Sequence, residues 1–401
     1  MTSTITGEMR QCIGRIGSFN AMYVAMLILS LHWAIVLYIN STYLAQFISG
    51  EAIGTLYTIG SALTLITFLI IARVLRAVGN YSLTLGLAVA EIVVLLGLAA
   101  ADSLRVAVPL FVLHQAIVPL LLFNLDVFTE KLIGPNEGIT GGTRGLVLTI
   151  MSIAGAVAPL AAGFLVQEGA ARPFMYVYLA SAGFMLLFCY SIVRNFKSFS
   201  DAPYDQIKVL SAFRAFWVQR NVRYVFLAHF LLQLFFSWMV IYIPLYLASA
   251  LNFSWSEIGS ILFVALTAYV FFEYGIGVLA DRYIGEQEMM GIGFLILAVT
   301  TSYIAYLDAP LLIPWMVTLF MTRVGAALVE TTTESYFFKN TDASSADAIS
   351  FFRASRPLAY IAGALLGSLT LLYIPFNYAF LILGILMLPG IALSLALEDS
   401  R

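Results

Sequence analysis

Charge is what this chain has least of: 20 Lys and Arg with 22 Asp and Glu make up 10% of its 401 residues, where a soluble domain carries about 25%. With 61% hydrophobic residues and a mean hydropathy of +0.95, that scarcity excludes a water-soluble globular protein. Cysteine is nearly absent. Cys12 lies near the N-terminus and Cys189 inside an apolar run, on different sides of the geometry, so neither a disulfide framework nor a thiolate metal site is expected. The three histidines, His32, His114 and His229, fall in separate apolar runs without the close spacing of a zinc site. A glycine-rich phosphate loop with its lysine, paired catalytic carboxylates in a soluble domain and a nucleophile motif are all missing. The chain therefore reads as no enzyme, with no cofactor, no metal and no nucleic-acid partner. Lacking an ATPase, it is driven by a gradient if it is driven at all.

Long apolar runs are what the chain has instead. Twelve are expected to span a membrane: residues 18–39, 52–72, 81–100, 106–130, 143–166, 173–193, 222–247, 256–280, 288–307, 311–338, 346–372 and 376–397. Each is long enough to cross a hydrocarbon core of about 30 Å as a helix. The runs are continuous rather than alternating, so helices and not a barrel satisfy the backbone in lipid. The first run follows Arg10 and Arg15, is too long for a signal-peptide core and has no clear cleavage site, so it is expected to stay in the mature protein. An even number of spans puts both termini on one side. With Met1 in the cytoplasm, seventeen basic residues lie inside, only Arg105 and Arg172 lie outside, and Arg323 lies within a span. This asymmetry predicts a multi-pass protein of the plasma or inner membrane with both termini cytoplasmic.

The second six runs echo the first. Asp126 and Glu330 are offset by 204 positions, as are Glu130 and Glu334, Gly163 and Gly367, and the pairs Tyr38-Ile39 and Tyr242-Ile243. Gly54 and Gly259 differ by 205, and Arg76 and Arg282, like Gly79 and Gly285, by 206. The parallel order of the matches means a duplication of six spans: a first bundle at 1–194, a linker at 195–221 and a second bundle at 222–401. Within the linker, residues 207–220 set Leu210, Phe213 and Trp217 against Lys208, Arg214 and Arg220, a pattern for a short helix lying on an anionic leaflet and tethering the bundles.

Over essentially its whole length the chain resembles the major facilitator superfamily. Gly277-Val278-Leu279-Ala280-Asp281-Arg282-Tyr283-Ile284-Gly285 is similar to that superfamily's G-x-x-x-D-R loop signature, with the glycine one residue later than usual. The first-half copy keeps Arg76 and Gly79 but has Ile71 and Leu75 at the Gly and Asp positions. Gly155-Ala156-Val157-Ala158-Pro159-Leu160-Ala161-Ala162-Gly163 looks like the antiporter helix-bend motif with Ala158 and Ala162 replacing two glycines. An acidic end to the fourth span at Glu130 is answered by Arg144-Gly145 at the start of the fifth. The resemblance implies an all-α integral membrane fold of two pseudo-symmetric six-helix bundles, a monomer, with the first, fourth, seventh and tenth spans around a central cavity.

Charges inside a membrane cost about 2.5–3.5 kcal/mol each on insertion scales, so each needs a partner or a cavity. Arg323 sits midway along the tenth span, either as a substrate or proton-coupling group or as a packed and satisfied arginine. Glu273 and Glu91 are the mid-membrane acids, candidates for the coupling proton because burial raises a carboxyl pKa, or else structural. Asp126 and Glu130, and Glu330 and Glu334, form i, i+4 pairs beside the basic sets Arg76 with Arg144 and Arg282 with Arg353 and Arg356. These networks are gates or only structural. Polar residues available to the cavity are His32, Trp33 and Asn40, then His114, Gln115 and Asn124, then Gln233, Ser237 and Trp238. Asp281 is expected to latch onto the start of the fifth span near Thr143, Arg144 and Gly145.

Together these features predict a secondary transporter of a small molecule in the lipid bilayer, coupled to a proton or another ion. Export of amphipathic compounds stands slightly ahead of uptake of a polar metabolite such as a sugar or an organic anion. A membrane sensor or a lipid flippase is the reading from a different class, and the short loops leave no room for a sensor's output domain.

Overall fold

A computed structural model describes residues 2–133, 140–197, 199, 201, 214, 217–279, 284–340, 352 and 354–398. Regular structure among them is helical, and twelve helices are long and apolar enough to cross a membrane. In order they are span one, Thr2–Leu37; two, Gly50–Val78; three, Asn80–Ala100; four, Leu104–Ile133; five, Thr140–Leu165; six, Met175–Asn195; seven, Arg220–Ser249; eight, Trp255–Leu279; nine, Glu286–Ile304; ten, Leu312–Asn340; eleven, Ser355–Tyr373; and twelve, Phe376–Leu395. Span one starts well before residue 18, because a helix does not end where its sequence stops being apolar; hydropathy marks the lipid boundary and not the helix end. Of span eleven the structure describes Ser355–Tyr373, and residues 346–351 and 353 of the expected run lie outside the described residues.

The spans pack as two copies of one pattern. In the first bundle span one lies against spans four, five and six, span three against four and six, and span two against four. Spans seven to twelve repeat each of those contacts at the matching positions. Two crossings join the bundles, span five with eight and span two with eleven, and the duplication maps one onto the other.

Glycines from the repeat make both crossings possible. A Cβ on Gly163 would lie 2.5 Å from the Trp255 carbonyl oxygen, and one on Gly259 2.6 Å from that of Pro159. At the other crossing a Cβ on Gly54 would run into Ser368 and the Ala364 carbonyl of span eleven, whereas Gly367, the repeat partner of Gly163, packs against Tyr242 of span seven. In lipid, where apolar side chains gain little by meeting one another, close backbone approach through small residues is what draws helices together. The matched glycines Gly79 and Gly285 have positive φ, 78° and 103°, and turn the chain into spans three and nine, a conformation that a side chain strains.

Outward-facing Phe164, Leu186, Leu395 and Tyr373 are exposed, and Phe111, Phe128, Trp238 and Trp315 fill the interior. An apolar coat of this kind suits hydrocarbon and not water.

Candidate functional site

Span one breaks where the bundles meet. After Leu37 the chain makes a tight turn, with the Ile39 N–H donating to the Val36 carbonyl at 3.2 Å, and then resumes as the short helix Asn40–Leu44, which lies against span seven of the other bundle. An i to i−3 bond in the middle of a membrane helix, with no Pro or Gly nearby, marks a hinge. Tyr38 sits on that turn within electrostatic reach of Arg323 and of Tyr360. Arg323 reaches in from span ten with its guanidinium 5.5 Å from the centroid of the Phe235 ring.

The arginine is only 2% exposed, so it is not open to solvent, yet among the described residues its guanidinium makes neither an ion pair nor a hydrogen bond, and Nε is buried without a partner. The buried hydroxyl of Tyr57 on span two is also unpartnered and lies within electrostatic reach of Tyr360 and Tyr242. A guanidinium can only donate, so what is lacking beside Arg323 is an acceptor. At the near end of span eleven, Arg356 places its guanidinium 5.7 Å from the Trp33 ring of span one and 5.8 Å from Tyr360. Rings and cations from both bundles thus face one space.

A second cluster lies within the first bundle, and here the structure joins residues that the sequence kept apart. Glu91 of span three takes a hydrogen bond from His114 Nδ1 of span four at 2.5 Å, and its Oε1 stands 3.6 Å from His32 Nε2 of span one. His32 Nδ1 lies 2.7 Å from Ser181 Oγ of span six, and that hydroxyl donates to the His32 carbonyl at 3.0 Å. Asn40 bridges His114 Nε2 at 3.5 Å and the Tyr178 hydroxyl at 2.8 Å. His32, Glu91 and His114 are buried. The histidines lie in separate runs without the spacing of a zinc site, and two of them, His32 and His114, meet because spans one, three, four and six face one another. The described residues hold no cluster with the geometry of a metal site.

Several other candidates take structural roles. Trp238, expected in the cavity, is buried, and its indole donates to the Gly363 carbonyl of span eleven, so it packs the second bundle's interior. Ser237 donates to its own helix at Leu234. Gln233 lies 3.2 Å from His229, which in turn meets Thr333 of span ten at 3.2 Å. Gln115 packs against Gly60 of span two. Asn124 uses its backbone carbonyl to accept from the Asn80 side chain at 3.0 Å, and its own amide is buried without a partner. Gly155 meets no neighbour, whereas Pro159 and Gly163 form the crossing with span eight. Asp126, Glu130, Glu330 and Glu334 each engage a polar or charged partner, and Arg356 has turned to the aromatic rings instead. Arg76 lies exposed at the end of span two.

Gly277 lies on the helix of span eight, and the side chain of Glu273 on that helix is outside the described residues, as are Asp281, Arg282 and Arg353 and the side chain of Arg144. The expected latch from Asp281 to the start of span five falls there too.

Sequence reasoning missed Tyr57, Tyr178, Tyr360 and Ser181, which carry no motif. It also missed Asp201 of the linker, whose carboxylate accepts from the Asn80 N–H at 2.9 Å and so caps span three. Buried Glu286, paired with Lys339 and taking a bond from Ser335 at 3.1 Å, went unnoticed as well. Tyr38 had a signal, its match to Tyr242 in the repeat.

Twelve spans, duplicated packing and two glycine crossings define a two-bundle helical membrane fold. The family model of the major facilitator superfamily matches residues 225–401, the second bundle. The nucleoside transporter NupG has the same fold: a mutant form superposes with a TM-score of 0.75 at 14% identity, covering 95% of this chain and all of that one. A second NupG structure gives 0.74 at 13%, covering 94% of this chain and 98% of that one. Among curated proteins no sequence matches.

Proposed function

We propose that the chain is a proton-coupled secondary transporter of a small polar metabolite that presents an anionic or strongly accepting oxygen to Arg323. One observation carries this reading: a buried arginine at the bundle interface whose donors find no acceptor among the described residues, with Nε buried and unpartnered. A buried cation left in that condition is costly, and a carboxylate or phosphate oxygen, bound bidentately, completes it. Tyr38 and Tyr360, with Phe235 beside the arginine, offer rings and hydroxyls for the rest of the molecule. The same unpaired cation weighs against export of amphipathic compounds, which have no use for it.

A nucleoside is the second reading. Both solved structures named above are nucleoside transporters, and an aromatic base stacks well on Tyr and Phe rings. In that case the guanidinium donates to base or sugar oxygens. The basic ends of the spans face the cytoplasm, and the two glycine crossings hold the bundles as they rock about the break in span one.

The test is uptake into proteoliposomes of radiolabelled organic anions, nucleosides, sugars and lipophilic dyes, with and without a pH gradient. Gradient-stimulated uptake of an anion or nucleoside that falls by about 10-fold or more in Arg323→Ala supports the reading, since a charge-assisted bond contributes about 1.5–3 kcal/mol. Transport restricted to the dyes, or undiminished in Arg323→Ala, overturns it.

A further inference from the structure

Hydrogen-bond accounting settles where the protons of the His32, Glu91 and His114 cluster lie. A carbonyl only accepts, so the Ser181 hydroxyl must donate to the His32 carbonyl. Ser181 Oγ is then the acceptor for His32 Nδ1, which puts the ring hydrogen of neutral His32 on Nδ1 and leaves Nε2 a bare lone pair. That lone pair faces a carboxylate oxygen, Glu91 Oε1, at 3.6 Å. His114 already donates to the same oxygen from Nδ1, and its own Nε2 accepts from the Asn40 amide. Among the described residues neither His32 Nε2 nor Glu91 Oε2 has a hydrogen-bond partner. With Glu91 ionised, the buried cluster holds two acceptors face to face and one uncompensated negative charge. A single proton resolves both faults: on His32 Nε2 it donates to Glu91, and the imidazolium and carboxylate leave the cluster neutral.

We infer that His32 Nε2, facing Glu91, is where the protein binds and releases its coupling proton, and that span one carries the occupancy of this site to the substrate site. The inference rests on the transporter reading above and assigns its proton. His32, Tyr38 and Asn40 belong to one continuous segment. His32 is six residues, about 9 Å of helix, from the turn at Tyr38 that faces Arg323. Asn40, just past the turn, is held by His114 and Tyr178, so a change of charge at Glu91 acts on both sides of the hinge. The short helix beyond it touches span seven, which conveys the movement to the other bundle.

The ionisable groups facing the cluster are His32 on span one, Glu91 on span three, His114 on span four, Tyr178 on span six, Tyr43 on the short helix and Tyr57 on span two. Span five brings none beyond Arg144 near its start. The duplication did not copy the cluster: at the matching offsets of 204 and 206 the second bundle has Phe236, Thr318 and Leu297. One such site per chain means one proton per cycle through it.

The chain has three histidines, so the site can be watched directly. Protein labelled at histidine Cε1 is titrated by NMR in nanodiscs, with signals assigned by His32→Gln, His114→Gln and His229→Gln. The His32 signal should titrate in the wild type as Nε2 takes up its proton. Its midpoint should fall by about one pH unit or more in Glu91→Gln, which removes the charge that holds the proton. It should fall as well in Ser181→Ala, because a free Nδ1 lets neutral His32 take the other tautomer and satisfy Glu91 with no added proton. A merely structural cluster has no reason to respond to Ser181→Ala. A His32 signal that stays neutral down to about pH 5, or one midpoint shared by all three proteins, overturns the inference. The titration needs no substrate, so it stands or falls separately from the transport assay: a responsive His32 in a protein that moves none of the test compounds sinks the transporter reading and keeps the proton site, and a silent His32 in an active carrier does the reverse.

Discussion

Arg323 shows how far one side chain can oppose the stability of the fold that holds it. A guanidinium 2% exposed, with no acceptor among the described residues, is retained against its desolvation cost. Replacing it with an apolar side chain of similar length should therefore stabilise the empty protein while destroying its function. Arg323→Met is expected to melt a few degrees higher in detergent, about 1–4 kcal/mol more stable on the precedent of buried ion pairs replaced by apolar groups, and to lose transport. Arg323→Lys keeps the charge but not the fork, so it should retain only weak transport. Thermal unfolding followed by tryptophan fluorescence, beside the uptake assay, checks both. A lower melting temperature in Arg323→Met would mean that the arginine is satisfied by the protein after all.

At the scale of the helix, the two crossings are the joints of the molecule. Gly163 meets Gly259 and Trp255, and the Glu168 carboxylate takes a hydrogen bond from the Trp255 N–H. Phe174 stacks edge-on with the Trp255 ring at 5.4 Å, so the loop after span five also closes on span eight. Here the bundles touch backbone to backbone, where an added side chain has nowhere to go. Gly259→Val should force spans five and eight apart, at a cost of about 1–3 kcal/mol typical of overpacking. The measurement is disulfide trapping between cysteines at Glu168 and Ser256, with Cys12 and Cys189 replaced. Rapid crosslinking in the parent and slow crosslinking in Gly259→Val is the expected pair of results, and equal rates would show that the crossing tolerates the methyls. Span one makes the complementary point. Its interruption at Tyr38 and Ile39 carries no Pro or Gly, so the break is imposed by what Asn40 binds in the folded bundle and not by backbone preference.

For the molecule as a whole, the arrangement of charge predicts the direction in which it sits. The basic residues flank the span ends that share a face with both termini, leaving Arg105 and Arg172 opposite. A membrane-impermeant maleimide applied to intact cells should label a cysteine at Arg172 and spare one at Arg194, which lies exposed at the end of span six. Labelling of the Arg194 site alone would invert the topology. The symmetry of the packing also separates scaffold from chemistry. Glycine crossings, turn glycines and acidic pairs occur in both halves, whereas the His32, Glu91 and His114 cluster occurs in one and Arg323 in the other, with Pro119 at its matching position. The scaffold is common to both halves, and each half carries its own polar group.

Twelve spans, their duplication and the family resemblance were all legible in the amino-acid order, because each depends on hydrophobicity summed over about 20 residues or on a fixed offset between matching residues. Glu91 and Arg323 stood out for the same reason, as isolated charges in apolar runs. What hydropathy cannot encode is the rotation of each helix about its axis, and that alone decides which residues meet. His32 and His114, 82 positions apart, share one carboxylate, and Trp238 turns away from the centre to pack within its own bundle. Ser181 carries no motif, yet it sets the tautomer of His32 through a 2.7 Å contact that exists only when spans one and six are packed together.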